Sequence, residues 1–169
     1  MAQSVEDSQQ GSRLTSALGH NPSSANHKKF ELEVLQAHNQ YRAKHGAPPL
    51  ELDKNLCRVA SQWAQHLLNT NSFQHRQNNK YGENLYMASG ANLNGAAAVK
   101  SWYNEIKDYN FRSPSFQSST GHFTQVVWKG SRLLGAGIAQ RGNTVYIVCN
   151  YDPPGNFMNN FRENVSPPN

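Results

Sequence analysis

The stretch Gly121-His122-Phe123-Thr124-Gln125-Val126-Val127-Trp128, followed downstream by Val148-Cys149-Asn150-Tyr151-Asp152-Pro153-Pro154-Gly155-Asn156-Phe157, decides how this chain folds. The first segment reads as a short helix over 122–128. The second begins as a strand and stops at Asp152-Pro153-Pro154-Gly155, because two prolines cannot donate to a ladder. Between the two lie strands near 134–140 and 144–151. Arg141-Gly142-Asn143 is the hairpin turn that joins them.

Working outward toward the N-terminus, helical periodicity takes over. Phe30, Val34, His38 and Tyr41 fall at helical spacing from Lys28 onward, and Gly46 with Pro48-Pro49 stops that helix. Asp53 is placed to cap a second helix, whose buried stripe is Leu56, Ala60, Trp63, Ala64 and Leu67. A polar loop over 69–80 leads to a short strand at Glu83-Asn84-Leu85-Tyr86-Met87. A third helix is expected over 95–107, with Val99, Trp102, Tyr103 and Ile106 inward and Glu105 off the stripe centre. Residues 109–120 form a Ser-rich loop that carries aromatics. Helices and strands mix in order and end in an antiparallel hairpin, so the fold class is α+β.

The chain has 169 residues, 37% of them hydrophobic and 10% aromatic, enough for one domain with one packed core. Residues 1–27 are rich in Ser, Gln, Asn and Gly, bury too little to offset ordering entropy, and read as a disordered arm; 28–167 form the domain. A formal net charge of +5 favours anionic partners such as lipid head groups or polyanions. Nucleic acid is not among the expected partners, because no Lys/Arg cluster is interleaved with aromatics.

Four ordered motifs carry a family resemblance: His38-Asn39-Gln40-Tyr41-Arg42, Gly82-Glu83-Asn84-Leu85, and the two stretches quoted first. Together they resemble the CAP superfamily of cysteine-rich secretory, antigen 5 and pathogenesis-related proteins. The resemblance implies a single CAP domain, a three-layer α/β/α sandwich with a mainly antiparallel central sheet. Within the superfamily the chain is most similar to the Golgi-associated pathogenesis-related branch, which faces the cytosol. Cys57 and Cys149 are the only cysteines, too few for a disulfide framework. Cys149 matches a position that is bonded in secreted relatives, but 134–139 lacks the usual partner, so both thiols are expected to stay free. Residues 1–25 hold no apolar run long enough for a signal peptide, and no later segment is long enough to span a bilayer. Ala2 stands where N-myristoylation needs glycine, so the lipid anchor of that branch is not expected here. The expected location is the cytoplasm, at the cytosolic face of Golgi or other endomembranes, with unconventional secretion as the open alternative.

CAP domains gather two His and two Glu in a central cleft, and the resemblance assigns those roles to His75, Glu83, Glu105 and His122. Sequence spacing alone would not select them. His66 is the alternative to His75, which lies in a variable loop. Two neutral imidazoles suit a borderline cation such as Zn²⁺, and two carboxylates can orient the rings or hold a metal-bound water. Two nitrogens are fewer than a tight site needs, so weak, exchangeable metal is expected. A polar cleft without metal stays open as the alternative.

A second candidate site is the loop that carries Tyr109, Phe111, Pro114 and Phe116, which the resemblance links to sterol and lipid binding. Exposed aromatics there would insert among lipids while Lys107 and Arg112 met anionic head groups. Alternatively the aromatics fold back over the core. The leading functional expectation is a non-enzymatic binding protein at lipid or membrane surfaces. Protein partners, a homodimer included, stay open. The competing class is a metal- or serine-dependent hydrolase built from Ser89, Glu83 and a histidine such as His122. Gly-x-Ser-x-Gly is absent, and Ser89-Gly90 is also an ordinary turn pair.

Overall fold

A computed structural model describes residues 22–90 and 94–169. Its elements run in the order α1 (Pro22–Lys44), β1 (Glu51–Leu52), α2 (Lys54–Thr70), β2 (Gly82–Ser89), α3 (Gly95–Tyr103), a 3-10 turn (Asn104–Asp108), α4 (Gly121–Val127), β3 (Leu133–Arg141), β4 (Thr144–Asp152) and α5 (Phe161–Asn164). The arm expected over 1–27 lies outside the described residues as far as residue 21. Its remainder belongs to α1, which starts upstream of Lys28.

The sheet order is β1-β3-β4-β2. Only β1 and β3 run parallel, and the other two pairings are antiparallel, as expected. Strand β4 is central and buried on both faces. Its odd residues, Val145, Ile147, Cys149 and Tyr151, enter a large core with Phe30 and Val34 of α1, Val99 and Trp102 of α3, and Phe123 and Val126 of α4. Its even residues, Tyr146 and Val148, pack with Ala60, Ala64, Leu67 and Leu68 of α2. The alternation of a strand thus makes the sheet the middle layer of an α/β/α sandwich.

The layers close because the sequence permits close approach. Gly135 and Gly137 of β3 present the same face to α2, and a Cβ at either would run into the backbone at Leu56 or at Ala60–Ser61. Asp53 caps α2 as expected: its Oδ2 accepts from Leu56 N at 2.8 Å. Asn94 caps α3 in the same way through Ala97 N at 2.9 Å. Arg42, fully buried, donates to the carbonyls of Pro48, Val126, Trp128 and Ser131 and so ties α1 to the loops around α4. Burial lowers its pKa to about 10. Asn39 holds Leu50 by its main-chain N–H and C=O.

Two local expectations are corrected, and one pairing is new. Arg141 pairs with Thr144, so the hairpin turn is Gly142-Asn143 alone, with Gly142 at φ +59; the positive φ matches the twist of the flanking strands. The third helix stops at Tyr103 and tightens into the 3-10 turn, which carries Glu105. The pairing of β1 with β3 had no sequence signal, being only two residues long. Cys57 and Cys149 are both free and buried, and burial pushes Cys57 up to about 12.

Candidate functional site

The cleft is assembled around β2, which lies at the edge of the sheet. Gly82 sits so close to Gln125 and Tyr151 that a Cβ there would displace the Gln125 amide. The next three residues each serve the cleft. Glu83 accepts from His75 Nδ1 at 2.8 Å, from Arg76 N at 3.0 Å and from Asn79 Nδ2 at 3.0 Å, folding the preceding loop over itself. Asn84 donates from Nδ2 to the carbonyl of His122 at 3.1 Å. Leu85 accepts from Trp102 Nε1 at 3.0 Å, and the Trp102 ring lies nearly parallel to that of His122, 6.3 Å away.

On the opposite wall, His122 occupies the first turn of α4. Its Nδ1 meets Glu105 Oε2 at 2.8 Å, while Glu105 Oε1 accepts from Phe123 N at 2.9 Å. The switch from α-helix to 3-10 turn after Tyr103 is what delivers Glu105 to this position. Asn156 fastens the same turn from the far side, donating to Gly121 O at 2.9 Å and accepting from Thr124 Oγ1 at 2.6 Å.

The resulting cleft has a volume of about 220 Å³, lined by His75, Glu83, Asn84, Phe116, Ser118, Gly121, His122 and Asn156. Three of the four residues expected there line it. Glu105 stands behind His122 instead of facing the cavity. Among the described residues no three His, Cys, Asp or Glu side chains converge as a metal-ligand set. The four side chains form two separate pairs, His75 with Glu83 and His122 with Glu105. With Nδ1–H donated to a carboxylate, each imidazole keeps Nε2 as its free nitrogen, with the lone pair a cation needs. The Glu83 hydrogen bond raises the His75 pKa.

The alternative histidine, His66, is elsewhere: it stacks on Trp63 at 4.6 Å on the outer face of α2. Ser89 also stays away from the cleft. It ends β2, six residues beyond Glu83 and therefore about 20 Å along an extended strand. Its Oγ lies 3.3 Å from Thr144 Oγ1 beside the hairpin turn.

The aromatic loop divides. Tyr109 is buried and packs on Phe111 and Phe123, and Phe111 also meets His45, so both turn into the core, the fold-back arrangement open from the sequence. The aromatic rings of the core offer them more contact than solvent does. Pro114 is half-buried. Phe116 alone stays 51% exposed, at the mouth of the cleft. Sequence reasoning did not single out Ser118 or Asn156 as lining residues, because no local pattern marks either.

With this geometry in place, comparison with known proteins is decisive. The sequence profile described as CAP, the cysteine-rich secretory protein family, matches residues 35–151. The chain belongs to the CAP family. Its CAP domain is 46% identical over 147 residues to human Golgi-associated plant pathogenesis-related protein 1, covering 83% of this chain and 95% of that one. Pathogenesis-related protein 1 of Arabidopsis thaliana is 40% identical over 128 residues, covering 75% and 78% of the two chains. Among solved structures, that of NaASP2 with Zn²⁺ superposes with a TM-score of 0.64 at 25% identity, covering 76% of this chain and 82% of that one. The CAP domain contains no described helix long and apolar enough to cross a membrane.

Proposed function

We propose that this CAP domain is a non-enzymatic binding module that holds a divalent cation loosely between His75 and His122 and associates with lipid surfaces through the rim of the same cleft. One observation carries the metal reading. Each imidazole gives its Nδ1–H to a carboxylate at 2.8 Å, which leaves Nε2 as the nitrogen with a lone pair, and both residues line one cavity. That donor set fits zinc, and with only two protein nitrogens the other coordination positions fall to water, so the ion exchanges readily. A related solved structure that contains Zn²⁺ supports the choice of metal. Titration calorimetry at neutral pH tests it. Wild type binds zinc weakly and less so as pH falls through the histidine range near ~6.5, while the His122→Ala variant loses the binding. Equal binding by that variant refutes the assignment.

The lipid reading rests on exposure. Phe116, Phe157 and Met158 are 51%, 53% and 76% exposed, Phe116 at the cleft mouth and Phe157 next to the lining residue Asn156. Lys107 and Arg112 are exposed on the 3-10 turn and the following loop. Association through these groups is reversible, prefers anionic lipid and weakens with salt, since each basic residue contributes about 1 kcal/mol within a Debye length. Endomembrane surfaces are the proposed location, supported by the human relative described as Golgi-associated. Co-sedimentation with anionic vesicles tests the proposal. Phe116→Ser weakens low-salt binding while the melting temperature holds, and absence of any wild-type binding at low salt overturns the lipid reading.

The hydrolase alternative finds less support. The cleft carboxylates are committed to the imidazoles, and Ser89 lies at the far end of β2.

A further inference from the structure

We propose that Tyr151, acting through Asn84, is a positioning residue for His122, the last links of a buried hydrogen-bond chain that starts at Val34. The chain runs from the Val34 carbonyl to His38 Nδ1 at 2.8 Å and from His38 Nε2 to the Tyr151 hydroxyl at 2.7 Å. It continues from that hydroxyl to Asn84 Nδ2 at 3.2 Å and from Nδ2 to the His122 carbonyl at 3.1 Å. His38 and Tyr151 are fully buried and Asn84 is 2% exposed, so water does not substitute for the links from Val34 to Asn84; the last one, to the His122 carbonyl, lies at the cleft wall.

The chain has one direction. A main-chain carbonyl only accepts, so His38 carries its proton on Nδ1 and presents Nε2 as an acceptor. Burial lowers the His38 pKa to about 4, which keeps the ring neutral at ordinary pH. Tyr151 must then donate its hydroxyl proton to His38, and its oxygen accepts from Asn84. Burial holds the Tyr151 pKa well above its ordinary value, so that proton stays in place. The two Nδ2 protons of Asn84 are thereby assigned, one to Tyr151 and one to His122. An amide so constrained cannot flip, and Asn84 itself lines the cleft.

The consequence is a common reference for both imidazoles. Glu83 holds His75, Asn84 holds the His122 main chain, and Leu85 anchors the Trp102 ring beside His122, all on consecutive residues of β2. Tyr151 faces Gly82 in the neighbouring strand, so its hydroxyl meets Asn84 from the core side. The chain reaches His122 and not His75.

This inference rests on the proposed metal role for its binding readout, so the test has an arm that needs no metal. In zinc-free protein, long-range proton–nitrogen spectra report each imidazole. Tyr151→Phe keeps the ring and removes one oxygen. It is expected to move the His122 ring signals and the Phe123 amide while the His75 ring signals stay in place. In zinc titrations of the same variants, affinity falls about 10-fold for Tyr151→Phe and for Asn84→Leu, the size seen when outer partners of a metal-binding histidine are lost. The double variant loses no more than either single one, because both cut the same chain. Unmoved His122 signals with a lowered melting temperature would overturn the proposal, as would losses that add in the double variant. If Asn84→Leu does not fold, Tyr151→Phe decides alone. If wild type binds no zinc, the metal reading fails, and the zinc-free spectra still decide whether the chain positions His122.

Discussion

The two walls of the cleft use the same pair of side chains in the same geometry and are built in opposite ways. His122 and Glu105 meet at 2.8 Å, and so do His75 and Glu83. His122 belongs to a helix in the core, stacked beside Trp102 and tied to the sheet through Asn84. His75 belongs to a loop, and its side chain is 66% exposed against 34% for His122. An equal hydrogen bond therefore does not mean an equal site. One wall is fixed by the packing behind it. The other depends on a single carboxylate, which is itself only 5% exposed. A cleft made this way has one rigid ligand and one that can adjust to what enters.

The largest effect that would sharpen this contrast comes from acid, because the rigid wall is backed by a neutral buried histidine. The His38 pKa falls from 6.5 to about 4 through burial. Between those values the unfolded chain binds a proton that the native chain does not, so stability rises with pH across the window and is lost as pH drops through it. The full difference is roughly 3 kcal/mol. His45, also lowered by burial, adds the same sign. On the loop side the sign reverses. The hydrogen bond that His75 donates to Glu83 raises the His75 pKa, so its stabilisation is present below pH 6.5 and disappears as pH climbs past the raised value. That group is exposed to solvent and its share is small. Denaturant melts from pH 7 to pH 4 should show a steep fall for wild type and a shallower one for His38→Gln. Equal slopes would remove the buried neutral histidine from the account.

A smaller effect separates the carboxylates. Glu105→Ala leaves His122 Nδ1 and Phe123 N without their acceptor in a packed region, and about 1–3 kcal/mol of global stability should go with it. Glu83→Ala strips three donors that all belong to one loop, and the most exposed of them, His75, can turn to water, so the fall in unfolding midpoint should be less. Its mark should be local: faster hydrogen exchange at the Arg76 amide, with the core amides unchanged. Equal global losses for the two variants would mean that the loop wall is as rigid as the helical one.

The smallest effect is expected at Ser89. Among the described residues its hydroxyl bonds to Thr144 at 3.3 Å, on an exposed strand end. Ser89→Ala should shift stability by less than about 0.5 kcal/mol and leave zinc titrations as they are. A changed zinc affinity in that variant would bring the far end of β2 back into the site.

Much of this was legible in the chain itself. The hairpin of 134–140 with 144–151, the helical stripe of α2 with its Asp53 cap, and the proline stop after Asp152 follow from periods and backbone chemistry that act within a few residues. The motifs His38–Arg42, Gly82–Leu85, Gly121–Trp128 and Val148–Phe157 identified the family, because so many fixed residue types in order are hard to meet by chance. What only the tertiary structure decided is how those motifs touch. No local rule says that His38 and Asn84 meet through Tyr151, that Glu105 stands behind His122, that Tyr109 and Phe111 turn inward while Phe116 does not, or that Ser89 ends far from the cleft. Each depends on which surfaces the three layers press together. That is settled by the close approach of α2 at Gly135 and Gly137 and by the core that α1, α3 and α4 close over β4, not by the identity of neighbours along the chain.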